Sequence, residues 1–125
     1  MRVLLDTHVM IWWLEGHSRL PVHVRDIVND RNNEIHFSIA SVWEIAIKTS
    51  LGKLHTPGDL PEQMAANEIR PLPISMDHAR QTTTLPFHHR DPFDRMLIAQ
   101  ARTEGLTLIT ADARISDYDV RLLMV

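Results

Sequence analysis

The chain has 125 residues, 44% hydrophobic and 23% charged, the balance of one soluble globular domain with room for a self-sufficient core. A formal charge of −3 leaves no broad basic footprint for coating nucleic acid, but leaves open an enzyme that grips phosphates through metal ions. Cysteine is absent, which excludes disulfide scaffolds, thiolate zinc sites and cysteine nucleophiles together.

Arg2-Val3-Leu4-Leu5-Asp6 reads as a short buried strand. Apolar residues crowd Val9 to Leu14 and stop at Gly16, a helix closed by a left-handed glycine. Ser18-Arg19-Leu20-Pro21 offers capping and an early proline for a helix to about Asn29. Ile35 to Ser38 is a second strand, and Ala40 to Leu51 a helix with a broad apolar face, followed by Gly52. Thr56-Pro57-Gly58-Asp59 is turn chemistry, and Leu60 to Glu68 a short helix. Leu72-Pro73-Ile74 reads as an edge strand because of its proline. Met76 to Thr84 predicts a helix, Pro86 to Arg90 a loop, and Asp91-Pro92 opens a helix to Glu104 closed by Gly105. Leu106 to Thr110 is the clearest strand, and Asp119 to Val125 supplies the last.

No repeat or low-complexity tract interrupts this order, so residues 1–125 read as a single domain. No apolar run is long enough to cross a membrane, and Asp6 interrupts the start of any signal peptide; both fit a cytoplasmic protein. Strands alternating with helices imply an α/β fold, a central mainly parallel sheet with helices on both faces.

In such sheets ligands gather beyond the carboxyl ends of the strands. Four acids fall there: Asp6 after the first strand, Glu44 early in the helix after the second, Asp94 in the first turn of the helix from Pro92, and Asp112 just past the strand at 106–110. Carboxylates suit hard ions such as Mg²⁺ and Mn²⁺. Each acid also has a structural explanation. Ser41-x-x-Glu44 matches a capping box, Asp91-Pro92-x-Asp94 an N-cap with an acid favoured by the helix dipole, Asp112 a cap on a short helix, and Asp6 the end of a strand in a turn.

Leu5-Asp6-Thr7-His8, Ser41-Val42-Trp43-Glu44-Ile45-Ala46-Ile47-Lys48, Gly52-Lys53-Leu54, His89-Arg90-Asp91-Pro92-Phe93-Asp94-Arg95-Met96-Leu97-Ile98-Ala99-Gln100-Ala101 and Leu108-Ile109-Thr110-Ala111-Asp112 follow in that order. Together they resemble the PIN-domain family, and within it the VapC-type toxins of type II toxin–antitoxin pairs, over nearly the whole chain. The resemblance implies a three-layer α/β/α sandwich and a Mg²⁺- or Mn²⁺-dependent endoribonuclease whose products carry a 5′-phosphate and a 3′-hydroxyl. Its catalytic and metal-binding acids carry over to Asp6, Glu44, Asp94 and Asp112, and Thr110 fits the family's hydroxyl position. Ala111 replaces the asparagine usual before the fourth acid. The resemblance also implies a homodimer and a groove filled by a VapB-type antitoxin.

Asp91 reads first as an N-cap and second as a metal contact. Lys48, four residues after Glu44, has the favourable orientation for a surface pair with it; Lys48, Lys53 and Arg95 read singly as solvated side chains and secondarily as phosphate contacts. His88 and His89 lack the i, i+4 spacing of a helical metal site. Trp12 and Trp13 cannot both face one core, so one of them is expected in a dimer or antitoxin contact. Two rivals remain, a phosphoacceptor receiver and a catalytically inactive PIN-like scaffold. Asp6 lacks the adjacent acid of a receiver and no lysine follows Lys53, while the four acids speak against the scaffold.

Overall fold

The computed structural model describes residues 1–56 and 58–125. Five strands form one parallel sheet in the order β3-β2-β1-β4-β5: β1 (Arg2–Leu5), β2 (Glu34–Ser38), β3 (Arg70–Leu72), β4 (Thr107–Thr110) and β5 (Leu122–Met124). Helices α1 (Thr7–Glu15), α2 (Val22–Asn29), α3 (Ile39–Ser50), α4 (Leu60–Ala66), α5 (Met76–Gln81) and α6 (Pro92–Glu104) connect them. The expected α/β/α sandwich is the one observed. The strand order also differs from the 2-1-3-4-5 arrangement of a receiver-type sheet.

A central parallel strand is buried on both faces, which is why β1 reads as a continuous apolar run. Val3 and Leu5 pack with Val9 and Met10 of α1, Val24 and Val28 of α2, Ile45 of α3 and Met64 of α4. Leu4 points the other way, joining Leu97, Ile98 and Ala101 of α6 with Leu108 of β4 and Tyr118. Truncating a fully buried leucine such as Leu108 to alanine would cost about 2–5 kcal/mol.

Several boundaries moved for local reasons. Ser18 does not cap α2; its N-cap is Pro21, without a side-chain bond, and the preceding turn is closed by His17, whose Nδ1 accepts from Arg19 N–H at 3.0 Å. The third strand lies at 70–72, and its internal proline is Pro71 rather than Pro73. As an edge strand it pairs with β2 alone, and Arg70 reaches Glu34 of β2 at 2.9 Å. The helix from Met76 tightens into a 3-10 turn at Thr82–Thr84, because all three threonine hydroxyls bond back to carbonyls three residues earlier. Asp112 caps a second 3-10 turn, Ala113–Asp117. In the turn expected over 56–59, Pro57 lies outside the described residues.

Candidate active site

The strand order reverses direction across β1, so a crevice opens where the carboxyl ends of β1 and β4 meet. Asp6 and Thr110 stand there. Asp6 is the N-cap of α1: its Oδ1 accepts from His8 N–H at 3.0 Å, and its Oδ2 accepts from the Thr110 hydroxyl. Thr110 Oγ1 in turn accepts the Asp112 N–H at 3.0 Å, so one hydroxyl links the first acid to the fourth.

Glu44 enters from α3. The capping box does not form: Ser38 is the N-cap, accepting from Ala40 N–H at 2.9 Å, which leaves Ser41 buried and Glu44 in the second turn. Glu44 instead meets the start of α1. Thr7 Oγ1 lies 2.8 Å from both Glu44 Oε1 and Ser41 Oγ, so its one proton serves the carboxylate and Ser41 donates to it. Lys48 Nζ donates to Glu44 Oε2 at 2.7 Å, and this bond holds the ammonium pKa above its ordinary value. The pair is not a surface pair, since Glu44 is buried at the rim of the site.

Asp94 sits in the first turn of α6, with Asp91 as N-cap accepting from Phe93 and Asp94 N–H at 2.9 and 3.2 Å. Asp91 is therefore the cap it was read as, although it also borders the cleft. Burial, followed by the charges of Asp91, Asp6, Asp112 and Glu44, raises the Asp94 carboxyl to about 7. Burial likewise raises Asp6, against the opposing Thr110 bond. Asp112 goes the other way: Arg114 clamps it with Nη2–Oδ2 at 2.6 Å and Nε–Oδ1 at 3.0 Å, and holds it below the usual carboxylate range.

All four acids line one cleft of about 410 Å³ with His8, Trp12, Arg19, Lys48, Asp91, Ala111 and Arg114. Five carboxyl groups share the cleft with three permanent cations, and the crowding that raises Asp94 is relieved when a metal cation enters. The donor set suits such an ion. One ligand atom from each of His89, Asp94 and Asp112 lie within 4.8 Å of one another, and Asp6 and Glu44 complete the rim from β1 and α3.

Three participants carried no periodic signal in the sequence. His89 is in a loop, buried, with Nε2 3.3 Å from Asp94 Oδ2 and Nδ1 2.9 Å from the Tyr118 hydroxyl. Burial and the charge of Arg114 push its pKa below the ordinary imidazole value. Arg114 reaches Asp112 through a turn, and lies 3.9 Å from Asp94. Arg95, read as solvated, is instead buried: its guanidinium donates to the carbonyls of Pro86, Thr82 and Leu85 at 2.8–3.1 Å and to Tyr118 at 3.2 Å, over the Phe87 ring.

Trp12 and Trp13 do share one core: both are half-buried and pack against the same cluster, because the helix turns their large rings to either flank of it. Trp12 also lines the cleft, and Trp13 donates its indole N–H to Asn29 at 3.0 Å.

A family model described as PIN domain matches residues 3–121. Ribonuclease VapC22 of Mycobacterium tuberculosis (strain ATCC 25618 / H37Rv) is 27% identical over 119 residues, 93% of this chain and 91% of that protein. Ribonuclease VapC16 of the same strain is 41% identical over 71 residues, covering 50% and 49% of the two chains. Among solved structures, VapBC2 from Rickettsia felis, bound to a promoter DNA fragment, superposes with a TM-score of 0.74 at 14% identity, covering 99% of this chain and 98% of that one. DNA-bound VapBC from Salmonella typhimurium gives 0.72 at 17% identity over the same shares. At these identities the structural likeness concerns the fold alone.

Proposed function

The chain belongs to the PIN-domain family, and from that premise we propose that it is a metal-dependent endoribonuclease acting as the toxin of a type II toxin–antitoxin pair. The observation that carries this reading is the convergence of Asp6, Glu44, Asp94 and Asp112 in one acid-lined cleft at the switch point of a parallel sheet. The ribonuclease names of both relatives point the same way.

Asp6, Asp94 and Asp112 would hold Mg²⁺ or Mn²⁺, with Glu44 reaching it directly or through water. A divalent ion there supplies activation of a water and neutralisation of charge on the scissile phosphate. The remaining work belongs to the chain. Asp94 would be ionised with a cation bound, because the cation offsets the neighbouring acids that raise it. Lys48 and Arg114, both partly exposed, donate to non-bridging phosphate oxygens. Cleavage at the bond to the 3′-oxygen, which the family resemblance implies, would leave a 5′-phosphate and a 3′-hydroxyl.

The partners are a VapB-type antitoxin, as in the VapBC complexes of similar fold, and a second copy of the chain. Ile39, Trp43 and Leu51 give α3 and its C-terminal end exposed apolar surface for such contacts, and Trp12 is the tryptophan of the N-terminal pair that an incoming segment would meet. Among the described residues no helix is long and apolar enough to cross a membrane.

Cleavage of a mixed RNA pool by the purified protein tests the reading, with Mg²⁺, Mn²⁺ or EDTA and an Asp6→Ala control. Metal-dependent cutting lost in the control is expected. No cutting by folded, antitoxin-free protein under any condition would turn the reading toward an inactive scaffold.

A further inference from the structure

The phenol of Tyr118 is buried in the layer between α6 and the sheet, and its surroundings determine the state of His89. Its oxygen lies 3.2 Å from Arg95 Nη1, 3.2 Å from His89 N–H and 2.9 Å from His89 Nδ1. A phenol oxygen has one proton to give and two lone pairs to offer. The guanidinium and the backbone amide act only as donors, so they take both lone pairs. The phenol proton then goes to Nδ1, the nearer of its two possible acceptors; the other is the His89 carbonyl at 3.3 Å. An imidazole that accepts at Nδ1 carries its own proton on Nε2, and Nε2 faces Asp94 Oδ2 at 3.3 Å.

We propose that His89 is a positioning residue, held in one tautomer by Tyr118 and Arg95, which donates its Nε2–H to Asp94 and fixes that carboxylate for the metal. The inference rests on the metal-dependent reading above. It makes His89 a donor to a ligand and not a ligand itself, although a ring nitrogen lies close enough to Asp94 and Asp112 for either role.

The elements around it fit this role. Arg95 follows Asp94 directly on α6, and its bonds to the carbonyls of Thr82, Leu85 and Pro86 wrap the 82–90 loop around it. That wrapping brings His89 back to Asp94, five residues ahead of it in sequence. Arg114 lies 3.9 Å from the same Oδ2, so the imidazole at 3.3 Å is the nearer of the two donors to that oxygen.

The experiment is Mn²⁺ binding by calorimetry on the full chain, with thermal melts beside it. The variants are His89→Leu, His89→Gln and Tyr118→Phe; Gln places an amide N–H near the position of Nε2. The expected result is a loss of roughly 10- to 100-fold in Mn²⁺ affinity for His89→Leu, a smaller loss for Tyr118→Phe and recovery in His89→Gln, as second-layer partners of metal ligands behave. Pulsed EPR of the Mn²⁺-loaded wild type should show no directly bound nitrogen. Unchanged Mn²⁺ affinity in a folded His89→Leu protein would overturn the inference, as would a directly coordinated ¹⁴N, which would make His89 a ligand. Should His89→Leu fail to fold, equal affinity in Tyr118→Phe and wild type would overturn it equally. A wild type that binds no Mn²⁺ would overturn the metal-dependent reading and the inference together.

Discussion

The Thr110 hydroxyl donates to Asp6 across the tips of β4 and β1, joining residues 104 positions apart. The bond exists because the two strands are neighbours in register, with Leu5 opposite Ile109, so the residues that follow them leave the sheet side by side. Thr110 also accepts the Asp112 N–H, so a single side chain sets the spacing of two of the four acids.

That double duty makes Thr110→Val a sharp test. The substitution keeps the β-branched shape but leaves Asp6 Oδ2 without its donor and the Asp112 N–H without its acceptor. Stability should fall by about 1–3 kcal/mol, and cleavage by roughly 10- to 100-fold, as when the support of a metal ligand is removed. Thr110→Ser should retain most of both. Chemical denaturation and cleavage of a fixed RNA provide the comparison.

Asp94→Asn should abolish cleavage while leaving the fold intact, and it should also change how stability depends on pH. In the folded, metal-free protein the Asp94 carboxyl is raised to about 7 from an ordinary 3.8. Between those values the folded state holds a proton that the unfolded chain has released. Its contribution to stability therefore falls as pH rises through this window and is lost above it. The carboxamide of the variant has no proton to release in this range. Melting of the metal-free proteins at about pH 4.5 and about pH 8, on either side of most of that window, should show wild type losing ground to the variant as pH rises. A constant difference between them would contradict the assignment.

Arg114→Ala should act on Mn²⁺ in the opposite direction to His89→Leu. The guanidinium neutralises Asp112 and stands near Asp94, so it competes with an incoming cation for the same carboxylates. Its removal should tighten Mn²⁺ binding and weaken binding of single-stranded RNA, because the phosphate loses a donor. Calorimetry with the metal and fluorescence anisotropy with a short RNA separate the two effects.

Arg95→Met should destabilise the protein by roughly 3 kcal/mol or more, since a buried guanidinium with three carbonyl partners and a phenol loses several charge-assisted bonds at once. The loss should appear in thermal melts and as faster proteolysis within residues 82–90.

Local chemistry determined what the sequence could reveal on its own. The apolar runs of β1 and β4, the left-handed glycines after α1 and α6 and the Asp-Pro opening of α6 act within a few residues, and all stand where they were read. Alternation of strands with helices then implies a parallel sheet, and the four acids follow as residues at one rim. Only the tertiary structure decided what surrounds those acids. Ser41 is a buried partner of Thr7 and not a cap, because α3 begins at Ile39 after its own N-cap serine. Arg95 is buried because the 82–90 loop folds its carbonyls around it. His89 is held against Asp94 by Tyr118, 29 positions away, and Arg114 clamps Asp112 through the geometry of a 3-10 turn. Periodicity and capping report on neighbours along the chain, whereas the proton positions and charge pairs of the site depend on which side chains packing brings together from distant segments.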